Sequence, residues 1–102
     1  MVSNALLIIH QTKPEKRDEV KAIWLKYMAS AIQDNAGHLA YFYNFDNNNV
    51  NSIYAFQVYE SEQAAKDFLL HPSYQTYLIE SRHLLENDPQ IISLTPQWVK
   101  VI

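Results

Sequence analysis

The pattern of apolar and polar positions in the first third of the chain predicts a strand followed by a long helix. Residues 5–9 form a continuous apolar run, so we expect a strand over Asn4–Gln11 that is buried on both faces. Pro14 cannot continue a strand ladder and therefore ends it. From Glu15 to about Asp34, apolar residues recur three and four positions apart, which predicts an amphipathic helix. Its apolar stripe comprises Val20, Ile23, Trp24, Tyr27, Met28, Ala31 and Ile32.

The next segment reads as a turn and a β-hairpin. Gly37 is the only glycine, and we expect it to adopt the left-handed conformation that ends many helices. Two strands follow, from His38 to Asp46 and from Asn51 to Glu60. The three asparagines in the connection, residues 47–50, are typical of a hairpin loop. Strand alternation places one set of side chains together on each face: Leu39, Tyr41, Tyr43 and Phe45 on one, and His38, Ala40, Phe42 and Asn44 on the other.

The last third predicts two helices and a strand. Ser61 is suited to accept a hydrogen bond at the start of a helix. That helix should stop at His71-Pro72, where the proline favours the first turn of a new helix that runs to about Asn87. A final strand is expected from Gln90 to Val101, with a bend at Pro96.

The element order β-α-β-β-α-β predicts a ferredoxin-like α+β fold with a four-stranded antiparallel sheet, formed by a single domain over residues 1–102. Both helices pack on one face of such a sheet. The opposite face is apolar and aromatic in this sequence, and a patch of that kind is rarely left exposed. We therefore expect two copies to associate through it as a two-fold homodimer, a dimeric α+β barrel.

The composition of the chain restricts the binding partners and the cellular location that we expect for the protein. The net charge is −3, so the chain lacks the basic surface that nucleic-acid binding requires, and no nucleic-acid partner is expected. There is no cysteine, which excludes thiolate catalysis and cysteine metal sites. The N-terminal residues resemble neither a signal peptide nor a membrane span, so we expect a cytoplasmic protein with no membrane partner. The four histidines are not spaced as metal ligands, and no metal is expected.

Five short segments, in this order and spacing, carry a resemblance that covers nearly the whole chain. They are residues 12–16 (TKPEK), 35–41 (NAGHLAY), 58–64 (VYESEQA), 71–74 (HPSY) and 92–96 (ISLTP). In them the chain resembles the antibiotic biosynthesis monooxygenase family of dimeric α+β barrels. The resemblance implies a homodimer that oxidises a small aromatic or quinol-type substrate with dioxygen and without a bound cofactor.

This chain differs from related proteins at several positions, and these differences restrict which of their reactions we expect it to catalyse. Many relatives carry a glutamate where this chain has Gln57, and a neutral amide cannot act as a base. Haem-degrading relatives use an asparagine, a tryptophan and a histidine at positions that we align with Leu7, Phe68 and Leu78. Without an imidazole to ligate iron there, we do not expect haem degradation.

His71 is the predicted catalytic residue. At a helix break it is placed to face a pocket between helices and sheet, and an imidazole works as a proton acceptor near neutral pH. The alternative is that His71 only caps the break. The residues predicted to bind substrate are Phe68, Tyr74, Tyr54, Asn44 and Trp24; aromatic residues of this kind also form ordinary cores and interfaces. His38 is expected to be a strand-edge residue.

The sequence leaves the reaction open. The leading hypothesis is the cofactor-independent monooxygenase. One alternative is a non-catalytic ligand-binding or stress-response dimer of the same fold. Another is an isomerase or lyase acting on a small metabolite, with Gln57 and His71 as polarising groups.

Overall fold

A computed structural model describes residues 3–100 and contains a single four-stranded antiparallel sheet covered on one face by helices. The sheet order is β2-β3-β1-β4, which confirms the ferredoxin-like α+β fold. The elements are β1 (Asn4–Gln11), α1 (Arg17–Tyr27), α2 (Ala29–Gln33), β2 (His38–Phe45), β3 (Ser52–Tyr59), α3 (Glu62–Leu69), α4 (Pro72–Ser81) and β4 (Gln90–Leu94). None of the helices described between residues 3 and 100 is long and apolar enough to cross a membrane.

The first helical region differs from the predicted single helix. It begins at Arg17 rather than Glu15, because Glu15 occupies a turn with a φ of 65°. It is also divided at Met28, which ends α1 and begins α2. The Met28 amide still bonds to the Trp24 carbonyl across this division. The helical periodicity therefore continues through the break, and periodicity alone could not reveal it.

Gly37 does not adopt the predicted left-handed conformation, since no glycine has a positive φ. Close packing explains the glycine instead. A Cβ atom at this position would lie 3.1 Å from the Cβ of Ala64 and 3.1 Å from Oδ1 of Asn35. The Gly37 amide also donates a hydrogen bond to that same Asn35 oxygen, at 2.8 Å. Gly37 therefore lets the start of β2 approach α3.

The hairpin between β2 and β3 forms as predicted, although each strand is shorter than expected. Oδ1 of Asp46 accepts hydrogen bonds from the amides of Asn48 and Asn49. Nη1 of Arg17 donates to the Asp46 carbonyl at 2.9 Å, and its guanidinium lies 4.0 Å from the Phe45 ring centroid. The loop is thus fixed both by its own side chains and by α1.

In the C-terminal third, the helices begin where the sequence predicts, but α4 and the last strand end earlier than predicted. Ser61 caps α3 by accepting a hydrogen bond from the Ala64 amide, and Pro72 begins α4. However, α4 ends at Ser81 rather than Asn87, because the Leu84 carbonyl accepts a hydrogen bond from the Lys13 amide and the Glu86 amide donates to the carbonyl of Gln11, the last residue of β1. β4 ends at Leu94, before Pro96; Val101, the predicted end of this strand, lies outside the described residues.

The two faces of the sheet have different neighbours. Leu6, Ile8 and His10 of β1 point toward the helices and are buried, together with Ile53, Ala55, Gln57 and Tyr59 of β3. The opposite face, which we call the open face, is only partly buried. Its side chains come from all four strands: Leu7, Ile9, Ala40, Phe42, Asn44, Tyr54, Phe56, Val58, Ile92 and Leu94.

Candidate functional site

An irregularity at the start of β2 moves His38 to the helix-covered face. The register shifts between His38 and Ala40, so that His38 pairs with Tyr59 while Leu39 is left out of the pairing and is 55% exposed. His38 thereby joins Tyr41 instead of Ala40 and Phe42, and the alternation predicted from the sequence is wrong at this residue. β-Bulges of this kind frequently redirect a side chain next to a functional site.

The His38 imidazole is surrounded by aromatic rings. Its centroid lies 4.3 Å from that of Tyr59, 4.4 Å from Phe68 and 5.5 Å from Tyr41. Both ring nitrogens are buried, and neither has a hydrogen-bond partner among the described residues. Burial, partly opposed by the neighbouring Gln57 side chain, lowers the pKa of His38 to about 4. The ring is therefore neutral at pH 7, with one nitrogen available as a donor and the other as an acceptor.

Further polar atoms without partners lie in the same layer. We define the interior polar cluster as His38, Tyr43, Gln57 and Tyr74, each of which has at least one buried nitrogen or oxygen without a hydrogen-bond partner in the described part of the chain. Oε1 of Gln57 accepts a hydrogen bond from the Tyr59 hydroxyl, which leaves Nε2 of Gln57 unused. An unsatisfied buried polar group costs about 1–3 kcal/mol, so several together indicate a site that a bound molecule or water completes.

A cavity of about 410 Å³ opens beside this cluster, between the α1–α2 region and β2. We call it the His38 pocket; His38, Tyr41, Tyr43 and Trp24 line it. Trp24 stacks on Tyr43 with a centroid distance of 4.3 Å, and its Nε1 donates to the Tyr41 hydroxyl at 3.4 Å. Burial raises the pKa of Tyr41 and of Tyr43, so both hydroxyls stay protonated at neutral pH and can donate hydrogen bonds.

The structure gathers some of the predicted substrate-binding residues and separates others. Phe68 packs against His38, and Tyr74 lies 6.3 Å from Phe68 between ring centroids. Trp24 is part of the His38 pocket. Tyr54 and Asn44 pair with each other on the open face, where Nδ2 of Asn44 donates to the Tyr54 carbonyl. They are therefore on the other side of the sheet from the remaining three.

His71 lies beside the cluster but has a structural bond. Its ring stacks on Phe68 at 5.7 Å, and its Nδ1 accepts a hydrogen bond from the Ser73 amide at 3.1 Å, which caps α4. In the neutral ring the proton must then be on Nε2, so no free lone pair remains. His71 would have to give up this cap in order to accept a proton. It lines a different cavity, which it shares with Asp34.

Two members of the cluster, His38 and Tyr43, were not among the residues predicted from the sequence to bind or act on a substrate. The bulge that redirects His38 leaves no clear trace in the residue pattern. Gln57 could have been identified from the sequence. It is a polar residue at a position that strand alternation groups with the apolar residues Ile53, Ala55 and Tyr59 of β3. Among residues 3–100, no group of three or more histidine, aspartate or glutamate side chains is arranged to hold a metal ion.

Comparisons with known proteins agree with this architecture. Residues 6–78 match the family model described as antibiotic biosynthesis monooxygenase. No curated protein matches the sequence significantly.

Several solved structures share the fold. One is a Chloroflexus aurantiacus protein described as a candidate antibiotic biosynthesis monooxygenase, with 22% identity, a TM-score of 0.79 and 98% of each chain covered. Another, from Mycobacterium tuberculosis, has 19% identity and a TM-score of 0.84, and covers 97% of this chain and 99% of its own. Because the family model spans more than half of the sequence, the chain belongs to the antibiotic biosynthesis monooxygenase family.

Proposed function

We propose that the protein is a homodimeric monooxygenase that oxidises a small aromatic or quinol-type compound with dioxygen, without a bound metal or flavin. The observation that carries the proposal is the interior polar cluster next to the aromatic His38 pocket. Ligand sites typically have volumes of about 300–1,000 Å³ and a few placed polar groups, and the His38 pocket, at about 410 Å³ and with His38 and Tyr43 in its wall, agrees in both respects. Family membership supports the class of reaction.

The neutral His38 ring supports a role at the substrate hydroxyl. A phenolic O–H can donate to the free lone pair of the imidazole and then transfer its proton. Although burial makes His38 a weak base in the empty site, the phenolate formed beside it favours the imidazolium, because an opposite charge raises a histidine pKa. Nε2 of Gln57 is unpartnered and is available to donate a hydrogen bond to the resulting oxyanion.

The electron-rich phenolate then reduces dioxygen. One oxygen atom enters the ring, the other leaves as water, and a quinol converted to a hydroxyquinone supplies all the electrons required. The aromatic walls formed by Trp24, Tyr41 and Tyr43 orient the flat substrate and exclude water from it. Tyr43 and Tyr74 offer hydroxyl donors for oxygen atoms at the edge of the ring.

The test is dioxygen uptake with a panel of quinols and phenols, comparing variants of two histidines. His38→Phe keeps the ring packed against Tyr59 and Phe68 but removes both nitrogens. We expect the rate to fall by about 10²–10⁴, the usual range for a lost general base. His71→Ala removes a helix cap and should cost about 1 kcal/mol of stability. His83→Ala, at an exposed position, is the control.

The outcomes separate the two histidines. If His71→Ala loses activity while His38→Phe keeps the parental rate, then the sequence prediction of His71 as catalytic residue is the better one. If the wild-type protein consumes no dioxygen with any compound, then the monooxygenase proposal is wrong.

One observation favours a second candidate, a ligand-binding protein without turnover. His38 is neutral at pH 7, and Gln57, Tyr43 and Tyr74 are neutral as well, so the described cluster holds no permanent charge. Calorimetric titration with the same panel distinguishes the two. Saturable binding with no dioxygen uptake would favour the binding protein.

A further inference from the structure

A second cavity, of about 380 Å³, lies between α4 and β4, at the opposite edge of the sheet from the His38 pocket. We call it the α4–β4 cavity. Leu78, Leu85 and Ile91 give it an apolar wall, and the Tyr74 ring forms part of its lining. Arg82 and Asp88 also line it and are exposed to solvent. It does not include His38 or any other residue that lines the His38 pocket.

The α4–β4 cavity exists because of the path that the chain takes after the end of α4. β4 is an edge strand, and its Ile91 pairs with Ile8 of β1 on the helix-facing side. Ile8 is 3% exposed, whereas Ile91 is 45% exposed. The difference arises because α4 ends at Ser81 and the chain then turns back toward β1, so that no helix covers the edge strand. An apolar wall is therefore left uncovered beside two charged groups.

The two charges constrain what can fill the space. The ion pairs found between residues 3 and 100 are Lys16 with Glu19 and Lys66 with Glu62, so neither Arg82 nor Asp88 has an ionic partner there. A small anion would be attracted by Arg82 and repelled by Asp88, and a small cation would experience the reverse. A molecule that carries both charges can satisfy both side chains at once.

We propose that the α4–β4 cavity binds a small zwitterion with an apolar body, of which an apolar α-amino acid is the simplest example. The carboxylate accepts hydrogen bonds from the Arg82 guanidinium, the ammonium group donates to Asp88, and the side chain packs against Leu78, Leu85 and Ile91. This binding site uses neither His38 nor Gln57, the residues proposed to act on the oxidised substrate; Tyr74, whose ring lines the cavity, is the residue that also belongs to the interior polar cluster.

The test is an amide NMR titration of the intact protein with L-phenylalanine and L-leucine. We expect saturable shifts centred on residues 78–91. The comparison ligands 3-phenylpropanoate and 2-phenylethylamine each lack one charge and should bind at least about tenfold more weakly, the effect of losing one charge-assisted hydrogen bond. Arg82→Gln and Asp88→Asn should each weaken amino-acid binding by a similar factor. Ile91→Trp should abolish binding by filling the cavity.

Matched controls are Lys21→Gln and Asp18→Asn, which remove the same charges from exposed positions on α1 and should leave binding unchanged. Three results would overturn the proposal. The first is the absence of a saturable shift with any of these compounds. The second is 3-phenylpropanoate or 2-phenylethylamine binding as tightly as L-phenylalanine. The third is binding that His38→Phe removes and Arg82→Gln leaves intact, which would place the ligand in the His38 pocket.

Discussion

The two faces of the sheet differ in which chemical groups lack a partner. On the helix-covered face, polar atoms of His10, His38, Tyr43, Gln57 and Tyr74 are buried without hydrogen-bond partners in the described chain. On the open face the unpartnered groups are apolar, and Phe42 and Leu94 remain 51% and 38% exposed. Polar groups are thus hidden from water where the protein covers the sheet, and apolar groups face water where it does not.

This difference indicates that each face is completed by a different kind of molecule. Polar atoms in a cavity are completed by a small ligand or water that forms hydrogen bonds. A broad apolar surface is completed by another apolar surface, and a second copy of the same face satisfies that requirement by two-fold symmetry. Substitutions that change one face at a time therefore test this contrast.

The largest expected effect is on the open face. Phe56→Glu places a charge in the middle of this face, and an unpaired charge buried in an interface costs about 3–5 kcal/mol. We expect the wild-type protein to be a dimer of about twice the 11.9 kDa chain mass, and the variant to be a monomer. Sedimentation velocity at micromolar concentration measures this. Leu70→Glu, at a helix-side residue that is 76% exposed, should remain dimeric. A monomeric wild-type protein would contradict the prediction.

The next effect is in the core of the covered face. Phe68 is 3% exposed and contacts His38, Tyr59, His71 and Tyr74. Phe68→Ala should lower the free energy of unfolding by about 3–5 kcal/mol, as measured by urea denaturation. Ile79→Ala, at a position that is 67% exposed, should change it by less than about 0.5 kcal/mol. Equal effects of the two substitutions would mean that Phe68 is not a core residue.

A pH-dependent effect comes from His10. Burial lowers its pKa from 6.5 to about 4, so the unfolded chain binds the proton more tightly than the folded chain. The stability that this provides is fully present above pH 6.5 and is lost as the pH falls toward 4. Between pH 7 and 4.5, we expect His10 to account for a loss of about 2–3 kcal/mol in the free energy of unfolding.

The measurement for His10 compares urea denaturation of the wild type and His10→Gln at several pH values. The amide can still bond to the Tyr77 hydroxyl, which lies 2.8 Å from Nε2 of His10, but it does not titrate. The pH dependence should therefore be weaker in the variant by the stated amount. If both proteins lose stability in parallel, then His10 is not the group responsible.

The smallest effect concerns the helix that covers the sheet. The Ser61 hydroxyl accepts a hydrogen bond from the Ala64 amide at 3.0 Å and caps α3. Ser61→Ala should cost about 1 kcal/mol, the typical value for such a cap. Ser30→Ala, at an exposed helical position, should cost less, and thermal unfolding of both variants provides the comparison. No difference between them would mean that the cap contributes nothing.

The fold was largely predictable from the sequence because local signals agreed with the global arrangement. The apolar run of β1, the Ser61 cap and the break before Pro72 each determine a boundary through a single dominant effect. The predictions were wrong where tertiary contacts, rather than the local sequence, determine the backbone conformation. The α1–α2 division buries Met28, α4 ends early because the following backbone bonds to the last residue of β1 and to the chain just after it, and Gly37 is needed for its contact with Ala64 rather than for its φ.

The candidate site was less predictable than the fold, because its composition depends on which face of the sheet each strand side chain points to. Phe68, Tyr74 and Trp24, which the sequence suggested together, all lie on the helix-covered side of the sheet, and their role in substrate binding stays a prediction. Tyr54 and Asn44 were grouped with them without knowledge of the strand register, which places them on the open face. A one-residue irregularity reverses the side that a strand residue faces, and this is what concealed His38.

The placement of the two tryptophans has a spectroscopic consequence. Trp24 lies in the wall of the His38 pocket, whereas Trp98 is 82% exposed and borders the open-face residues Phe56 and Val58. The chain therefore contains one tryptophan for each face of the sheet. In Trp24→Phe, a blue shift of the Trp98 emission with rising protein concentration would report self-association. In Trp98→Phe, quenching of Trp24 by an aromatic compound would report occupancy of the pocket, so that the two events can be observed separately and without a label.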